Sequence, residues 1–141
     1  MHKATYVKLE ELRRRKRNEA LQDLANAQAQ LADLEHKQRN VTVALSQPLQ
    51  GRYSAAQLRA QASWRQQLSS LAQQGQSALE QAYRELEARR ARVLEANIAH
   101  RQVERMLQLV EAREARLRAR QEQKACDDIA QRLHGRRAFQ D

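Results

Sequence analysis

Residues that could perform catalysis or bind a metal are few, and their spacing does not bring them together. No two histidines lie three or four residues apart, the spacing that places a pair of metal ligands on one face of a helix. His100 falls on the apolar seam of a predicted helix and is expected to be tolerated there rather than to act as a ligand. Only 3 glycines are present, too few for a glycine-rich phosphate loop.

The nucleophilic and acidic side chains near the C-terminus also fail to form a catalytic set. Cys126, the only cysteine, has no histidine base at helical spacing and is expected to be a surface or interface thiol. Asp127 and Asp128 are adjacent, so on a helix they point in different directions and cannot work as a paired acid and base. The sequence therefore predicts no enzyme, no metal site and no cofactor.

The expected compartment is the cytoplasm. A single cysteine cannot form an internal disulfide and suits a reducing environment. The charged region Lys8–Arg17 is not accompanied by the apolar segment of an export signal. The sequence contains no run of about 18 or more apolar residues, so no segment is expected to span a bilayer.

Helices must position all of these residues. The 141 residues include 4% aromatics, 3 Gly and 1 Pro, so turn-forming residues are too scarce for an α/β or all-β fold. Ala, Leu, Gln, Glu and Arg dominate, and all favour helix. We predict an all-α protein, a long antiparallel two-helix coiled-coil hairpin with a longer second helix, as one domain over residues 1–141.

The turn is predicted at about residues 47–53, between helices at about 4–46 and about 54–134. Pro48 and Gly51 interrupt the helical pattern there. Ser54 can cap the second helix, and Gln57 three residues later completes a capping box. Gly135 is expected to end that helix.

Both helices carry a seam of residues in alternating steps of three and four, the pattern of a surface buried against another helix. In the first helix the seam runs from Ala20 to Leu45, and two steps of four from Leu12 to Ala20 predict a stutter. In the second helix the seam includes Leu68, Ala72, Gly75, Leu79, Ala82, Leu86, Arg89, Val93, Ala96, His100, Val103, Leu107, Val110, Glu114, Leu117 and Gln121.

Pairing outward from a turn near residue 50 predicts that residue i lies opposite about residue 100 − i. Leu24 then faces Gly75–Leu79, and Leu9 and Leu12 face Glu87–Arg92. The second helix beyond about residue 98 is left without a partner in the chain.

The apolar stripe nevertheless continues past that point, and an apolar stripe in water usually marks an interface. We therefore favour a C-terminal overhang that another protein covers. The alternative is a break near Ala96–His100 that folds the helix back. The residues concerned are Val103, Leu107, Val110 and Leu117.

The net charge of +9 is concentrated at the two chain ends, which a hairpin brings to one pole. Arg13–Arg17 are five consecutive cations, and a second basic group begins at Arg113. Such patches bind phosphate backbones or acidic protein surfaces, and the alternative is a solvated Arg-rich face interleaved with Glu. Base-stacking aromatics are missing from both stretches, which argues against nucleic acid.

An apolar row follows the turn. Trp64, Leu68 and Leu71 are spaced at i, i+4 and i+7. Exposed aromatic residues at a tip are typical anchors for a partner. The alternative is that Trp64 packs across the turn against Val41–Leu45.

Three segments resemble the FliJ/YscO family, stalk proteins of flagellar and virulence type III export. Arg120–Arg132 is similar to the family's terminal pattern: an Arg, then Gln-Lys, an Asp-Glu pair, and Ala before a further Arg. Leu9–Ala20 is similar to the family's first helix, and Met106–Glu114 is a third similar stretch. The matching terminal positions are Gln123, Lys124, Asp127, Asp128 in place of the usual Glu, Ala130 and Arg132.

The resemblance implies a non-enzymatic central stalk, similar to the rotor γ subunit of F-type ATP synthase. Its basic terminal pole would sit in the pore of a hexameric export ATPase. The turn end would meet the cytoplasmic domain of the export gate, and family members also bind substrate chaperones. The ATPase-binding candidates are Arg13, Arg14, Arg15, Lys16, Arg17, Arg113, Arg116, Arg120, Gln123, Lys124, Asp127, Asp128 and Arg132. The gate or chaperone candidates are Trp64, Leu68 and Leu71.

Two other functions stay open from the residues alone. One is a basic coiled coil that binds nucleic acid, and the other is a self-assembling structural rod. The resemblance favours the stalk, located in the cytoplasm at the periphery of the inner-membrane export apparatus, with no nucleic-acid partner. The sequence does not distinguish a flagellar from a virulence system.

Overall fold

The structure, a computed structural model, describes residues 2–140, with side chains described through residue 138. Helix α1 spans Lys3–Ser46 and helix α2 spans Ala55–Gln140, and no strand occurs within the described residues. The predicted fold class is confirmed: the chain is an all-α, two-helix antiparallel hairpin with a longer second helix.

Helix α2 is unbroken, so the predicted alternative of a break near Ala96–His100 is wrong. The helix also passes through Gly135 and does not end there. A single glycine inside a helix costs only about 1 kcal/mol relative to alanine, which its neighbours can offset.

The chain divides into two compact units, which are described separately. The hairpin unit is Lys16–Ala96, and the terminal unit combines Met1–Arg15 with Asn97–Asp141. The assignment of residues 1–141 to one domain stays a prediction.

In the hairpin unit, α1 ends where proline prevents another turn. Gln47 precedes Pro48, and the residue before a proline is disfavoured in the helical conformation. The linker, residues 47–54, contains Gly51 with a φ of +99°, a backbone conformation that favours glycine. The amide N–H of Gln57 donates to Ser54 Oγ at 3.2 Å, and that of Ser54 donates to Gln57 Oε1 at 2.8 Å. The predicted capping box is confirmed.

The pairing register of this unit differs from the predicted one by about twelve residues. Gln38 Nε2 donates to the carbonyl oxygen of Ala72 at 3.0 Å. Arg89 Nη1 lies 3.3 Å from Asp23 Oδ2. Residue i therefore lies opposite about residue 112 − i, and the predicted placement of Leu24 against Gly75–Leu79 is wrong.

The linker explains the difference. Arg65 Nη2 donates to the carbonyl oxygen of Gln47 at 2.7 Å, so the first residues of α2 lie beside the linker and not beside α1. Helical residues from Ala55 to Arg65 rise by about 15 Å, and eight extended linker residues can span more than that. The prediction assumed a compact turn, whereas an extended linker shifts the register without disturbing either helix.

Leucines fill the seam of the hairpin unit. Leu31, Leu79 and Leu86 form its buried core, with Leu68 buried nearer the turn. Fully burying a leucine side chain contributes roughly 1.5–3 kcal/mol, so this cluster is a substantial source of the attraction between the helices in this unit. The residues that pack against the core are Leu24, Ala27, Leu34 and Ala82, all of them on the predicted seams.

The terminal unit has an apolar seam on α2 that α1 covers. Val103 is buried, and Leu107 and Val110 are half-buried, so the prediction that they have no partner in the chain is wrong. Lys3 Nζ lies 3.7 Å from Glu114 Oε2, which places the start of α1 opposite Glu114. The overhang therefore begins at about residue 115 and not at residue 98, because of the register change.

The predicted stutter is also wrong. Glu10, Arg13 and Arg17 are half-buried and continue the three-and-four spacing of the seam from Ala20, whereas Leu12 is exposed. The prediction followed apolar residues only. Long arginine stems can cover apolar surface while their charged ends reach water, so a seam can continue through them.

Candidate protein-interaction surfaces

The N-terminal basic cluster is split between two environments. Arg13 and Arg17 occupy seam positions, and the Nε atom of each is buried. Arg14, Arg15 and Lys16 are exposed, and Arg15 Nη2 lies 3.1 Å from Glu11 Oε1 one turn away. Of the five ATPase-binding candidates in this cluster, the middle three are exposed and the outer two are half-buried.

A buried histidine lies in the seam of the terminal unit. His100 is 4% exposed, and its Nε2 is 3.0 Å from Glu10 Oε1. Its Nδ1 lies 4.0 Å from Glu104 Oε2 on the next turn of α2. Glu10 was not predicted from the sequence as the partner of His100. Steps of three and four taken backward from Ala20 do place Glu10 on the seam. No metal-binding group of three or more His, Cys, Asp or Glu residues occurs in the part of the chain that the structure describes.

The C-terminal candidates are exposed on α2. We call Arg113, Arg116, Arg120 and Lys124 the basic stripe, because steps of three and four place them on one side of the helix. Among the described residues, no ion pair involves any of the four. Gln123 Nε2 donates to Asp127 Oδ1 at 3.1 Å. The two remaining candidates, Asp128 and Arg132, are also exposed.

The apolar row after the turn is divided as well. Leu68 is 5% exposed and belongs to the seam, so it is not available to a partner. Trp64 is 54% exposed and Leu71 is 51% exposed, and this exposure disfavours the alternative in which Trp64 packs across the turn. Tyr53 and Trp64 line a shallow depression together with Gln57, Ala60 and Gln61.

One tyrosine joins the two helices at the side of the hairpin unit. Tyr83 Oη donates to Glu35 Oε1 at 2.8 Å. This hydrogen bond to a carboxylate, together with the negative charge of Glu35, raises the pKa of Tyr83 above its ordinary value of 10.0. The contact requires the protonated phenol and is therefore lost in strong alkali.

Several exposed apolar residues were not predicted as contacts. Leu49, Tyr53 and Leu58 lie at the turn end of the hairpin unit, and Ile98 and Leu109 lie on the side of α2 away from its seam in the terminal unit. Their exposure could have been predicted from their positions outside the heptad frame, since an apolar residue off the seam has no intrachain partner to cover it.

Neither described helix contains a stretch long and apolar enough to cross a membrane.

Comparison with known proteins gives one family. No curated protein and no solved structure matches the chain. A family model described as the flagellar FliJ protein matches residues 2–139. Because that match covers almost the whole chain, the protein belongs to the FliJ family.

Proposed function

We propose that this chain is the non-enzymatic central stalk of a type III protein export system. Its family is one of flagellar export components and not of enzymes. In the proposed role the basic end of the stalk enters the hexameric export ATPase, and the turn end contacts the cytoplasmic domain of the export gate and substrate chaperones. The protein would act in the cytoplasm, at the periphery of the export apparatus.

The observation that carries the proposal is the exposed, basic last part of α2 in the terminal unit. Residues 115–138 have exposed side chains, Gly135 excepted, and contain seven cations against three carboxylates. An isolated helix of this kind gains little stability in water by itself, because most helix stability in proteins comes from packing. The segment is therefore suited to a partner with an acidic, enclosing surface.

The turn end supports the second contact. Trp64 and Leu71 are exposed on the hairpin unit, and tryptophan is among the residues that most often dominate the energy of a protein interface. Leu68, the third gate or chaperone candidate, supports the seam beneath them.

The test is ATP hydrolysis by the cognate hexameric ATPase with and without this chain. The stalk should raise turnover, and Arg116→Glu/Arg120→Glu should abolish the increase. The matched control is Arg52→Glu/Arg59→Glu at the turn end, which carries the same charge change and should keep it. The N-terminal cluster is tested with Arg14→Glu/Arg15→Glu, because reversal at Arg13 or Arg17 would place a carboxylate in the seam.

Three results would contradict the proposal. The first is no change of turnover on adding the unaltered chain. The second is tight binding to nucleic acid whose affinity falls steeply with salt, as expected for a basic coiled coil that neutralises phosphates. The third is a stable oligomer that forms with increasing protein concentration and buries Leu117, as expected for a self-assembling rod.

A further inference from the structure

The turn end of the hairpin unit contains no carboxylate side chain. The chain has 17 Asp and Glu residues, and none lies between Glu35 and Glu80. We call residues 36–79 the carboxylate-free end. It comprises the last part of α1, the linker and the first part of α2, and its cations are Lys37, Arg39, Arg52, Arg59 and Arg65.

The absence of acidic residues runs against the local preference of the helix. The first turn of a helix favours Asp and Glu, because the backbone N–H groups there carry partial positive charge. The first turn of α2 has none. Its capping box uses Gln57 at the position where Glu serves equally well. Neutral residues therefore occupy positions in α2 where acid would stabilise the helix, as they also do in the first turn of α1 outside this end.

Exposed apolar and aromatic side chains accompany these cations. Trp64 and Tyr53 line one depression. Leu71 lies seven residues after Trp64, about two helical turns along α2, in a groove that Lys37 also lines. Leu49 and Leu58 are 45% and 47% exposed. Trp and Tyr favour the membrane–water interface, where their rings contact apolar chains and their polar atoms stay hydrated.

We propose that the carboxylate-free end binds the surface of an anionic lipid bilayer. An acidic protein partner would disfavour carboxylates of this chain only on the face that contacts the partner. Here they are absent from every face of both helices and from the linker, as expected for a segment that approaches an extended negative surface. Arg and Lys supply the electrostatic attraction, and Trp64, Tyr53 and Leu71 enter the interface. This inference does not rest on the proposed ATPase contact. It uses the same Trp64 and Leu71 side chains as the proposed gate or chaperone contact, so the turn end cannot make both contacts at once.

The experiment uses the full chain and lipid vesicles, with Trp64 as the reporter. Trp64 is the only tryptophan, so its emission reports on the carboxylate-free end alone. Vesicles of phosphatidylcholine mixed with phosphatidylglycerol should shift the emission to shorter wavelength, and brominated acyl chains should quench it. Vesicles of phosphatidylcholine alone should change neither, and added salt should weaken the response to the anionic vesicles.

Two matched variants locate the contact. Arg52→Gln/Arg59→Gln should lower the vesicle affinity measured by Trp64 by about 25-fold, at about fivefold for each arginine near the surface. Arg116→Gln/Arg120→Gln removes the same charge from the basic stripe and should leave the Trp64 response unchanged. Tyr53 and Trp64 keep their side chains in both variants.

Two outcomes would overturn the proposal. In the first, anionic vesicles bind the chain but leave Trp64 emission unchanged, which assigns the binding to cations outside the carboxylate-free end. In the second, vesicles have no effect and the Trp64 shift appears only with an acidic protein partner. Both outcomes are independent of ATPase stimulation, so failure here is distinguishable from failure of the stalk function.

Discussion

Gln38 of α1 occupies the space that a side chain at position 75 of α2 would need. A Cβ added to Gly75 would collide with the Gln38 amide group, whose Nε2 also donates to the Ala72 carbonyl oxygen at 3.0 Å. Because Gly75 has no side chain, the Gln38 side chain can reach the backbone of α2 and donate to the Ala72 carbonyl oxygen. This pair is one of several contacts that set where the two helices meet in the hairpin unit.

Gly75→Ala should fail to stabilise the protein. Alanine gains about 1 kcal/mol in helix propensity, but displacing Gln38 loses a hydrogen bond of about 1 kcal/mol and crowds the seam. We expect a free energy of unfolding equal to or below that of the parent, measured by denaturant titration of the helical circular dichroism signal. Gly135→Ala is the control, because the space around it is open and helix content should rise.

The same pair can be separated by a double-mutant cycle. In a Gln38→Ala background the collision is gone, and Gly75→Ala should then raise the free energy of unfolding by about 1 kcal/mol. Equal effects of Gly75→Ala in both backgrounds would show that the two residues do not interact.

The register can be tested with the ion pair between Asp23 and Arg89. Asp23→Arg and Arg89→Asp should each destabilise the hairpin slightly, and the combined exchange should restore stability. Because both side chains are partly exposed, the coupling should be about 0.2–1 kcal/mol and should fall with added salt. Zero coupling at low salt would support the register in which residue i lies opposite about residue 100 − i. That register separates Asp23 from Arg89 by several helical turns.

Replacing the buried polar pair as a unit should be better tolerated than breaking it. Glu10→Leu removes the carboxylate that lies 3.0 Å from the buried His100 Nε2 and should cost about 1–3 kcal/mol. Glu10→Leu/His100→Leu should recover most of that loss, since an apolar pair suits a seam position. Thermal unfolding of the parent, Glu10→Leu, His100→Leu and the double variant gives the comparison, and a double variant less stable than both single variants would contradict it.

Alkaline pH should weaken the hairpin unit through Tyr83. Because its pKa is raised in the folded chain, its contribution is complete below the ordinary value of 10.0 and is lost as the pH rises through the folded-state value. The tyrosinate absorbance difference between the parent and Tyr83→Phe reports this titration. Glu35→Gln should return the pKa of Tyr83 towards its ordinary value, and an unchanged titration would exclude Glu35 as the cause.

Backbone amides in residues 118–138 should exchange with solvent faster than those in residues 79–93. The first segment has no packed partner within the terminal unit, whereas the second carries Leu79 and Leu86 in the hairpin core. Hydrogen exchange followed by mass spectrometry measures both segments in one sample. Addition of the export ATPase should slow exchange in residues 118–138, and equal rates in the free chain would contradict the overhang.

The fold class, the position of the linker, the capping box and the α2 seam as far as Glu114 could be predicted because each depends on local pattern. Steps of three and four define a seam, and a proline interrupts the interior of a helix, as Pro48 does here. The register could not be predicted in this way. It depends on whether the linker is compact or extended, and that is settled by distant contacts such as Arg65 with Gln47.

The candidate surfaces were predicted by residue type, which does not determine orientation. Arg13 and Arg14 are neighbours of equal charge, yet one occupies the seam and the other faces solvent. Leu68 and Leu71 are separated by less than one turn and have opposite environments. A heptad frame carried through the charged residues of α1 would have separated Arg13 from Arg14, and the predicted α2 seam already contained Leu68 and not Leu71.

The spare reach of the linker also determines how the hairpin unit accommodates a change of linker length. The seam allows the helices to slide only by whole heptads, about 10 Å each, whereas each extended linker residue adds about 3.3 Å. An insertion of one or two residues is therefore expected to bulge outward with the register kept. The eight linker residues already reach further than the distance they cover, so linker length alone does not hold the register. Sliding by one heptad would remove Gln38 from Gly75, and that contact therefore opposes sliding whatever the linker length.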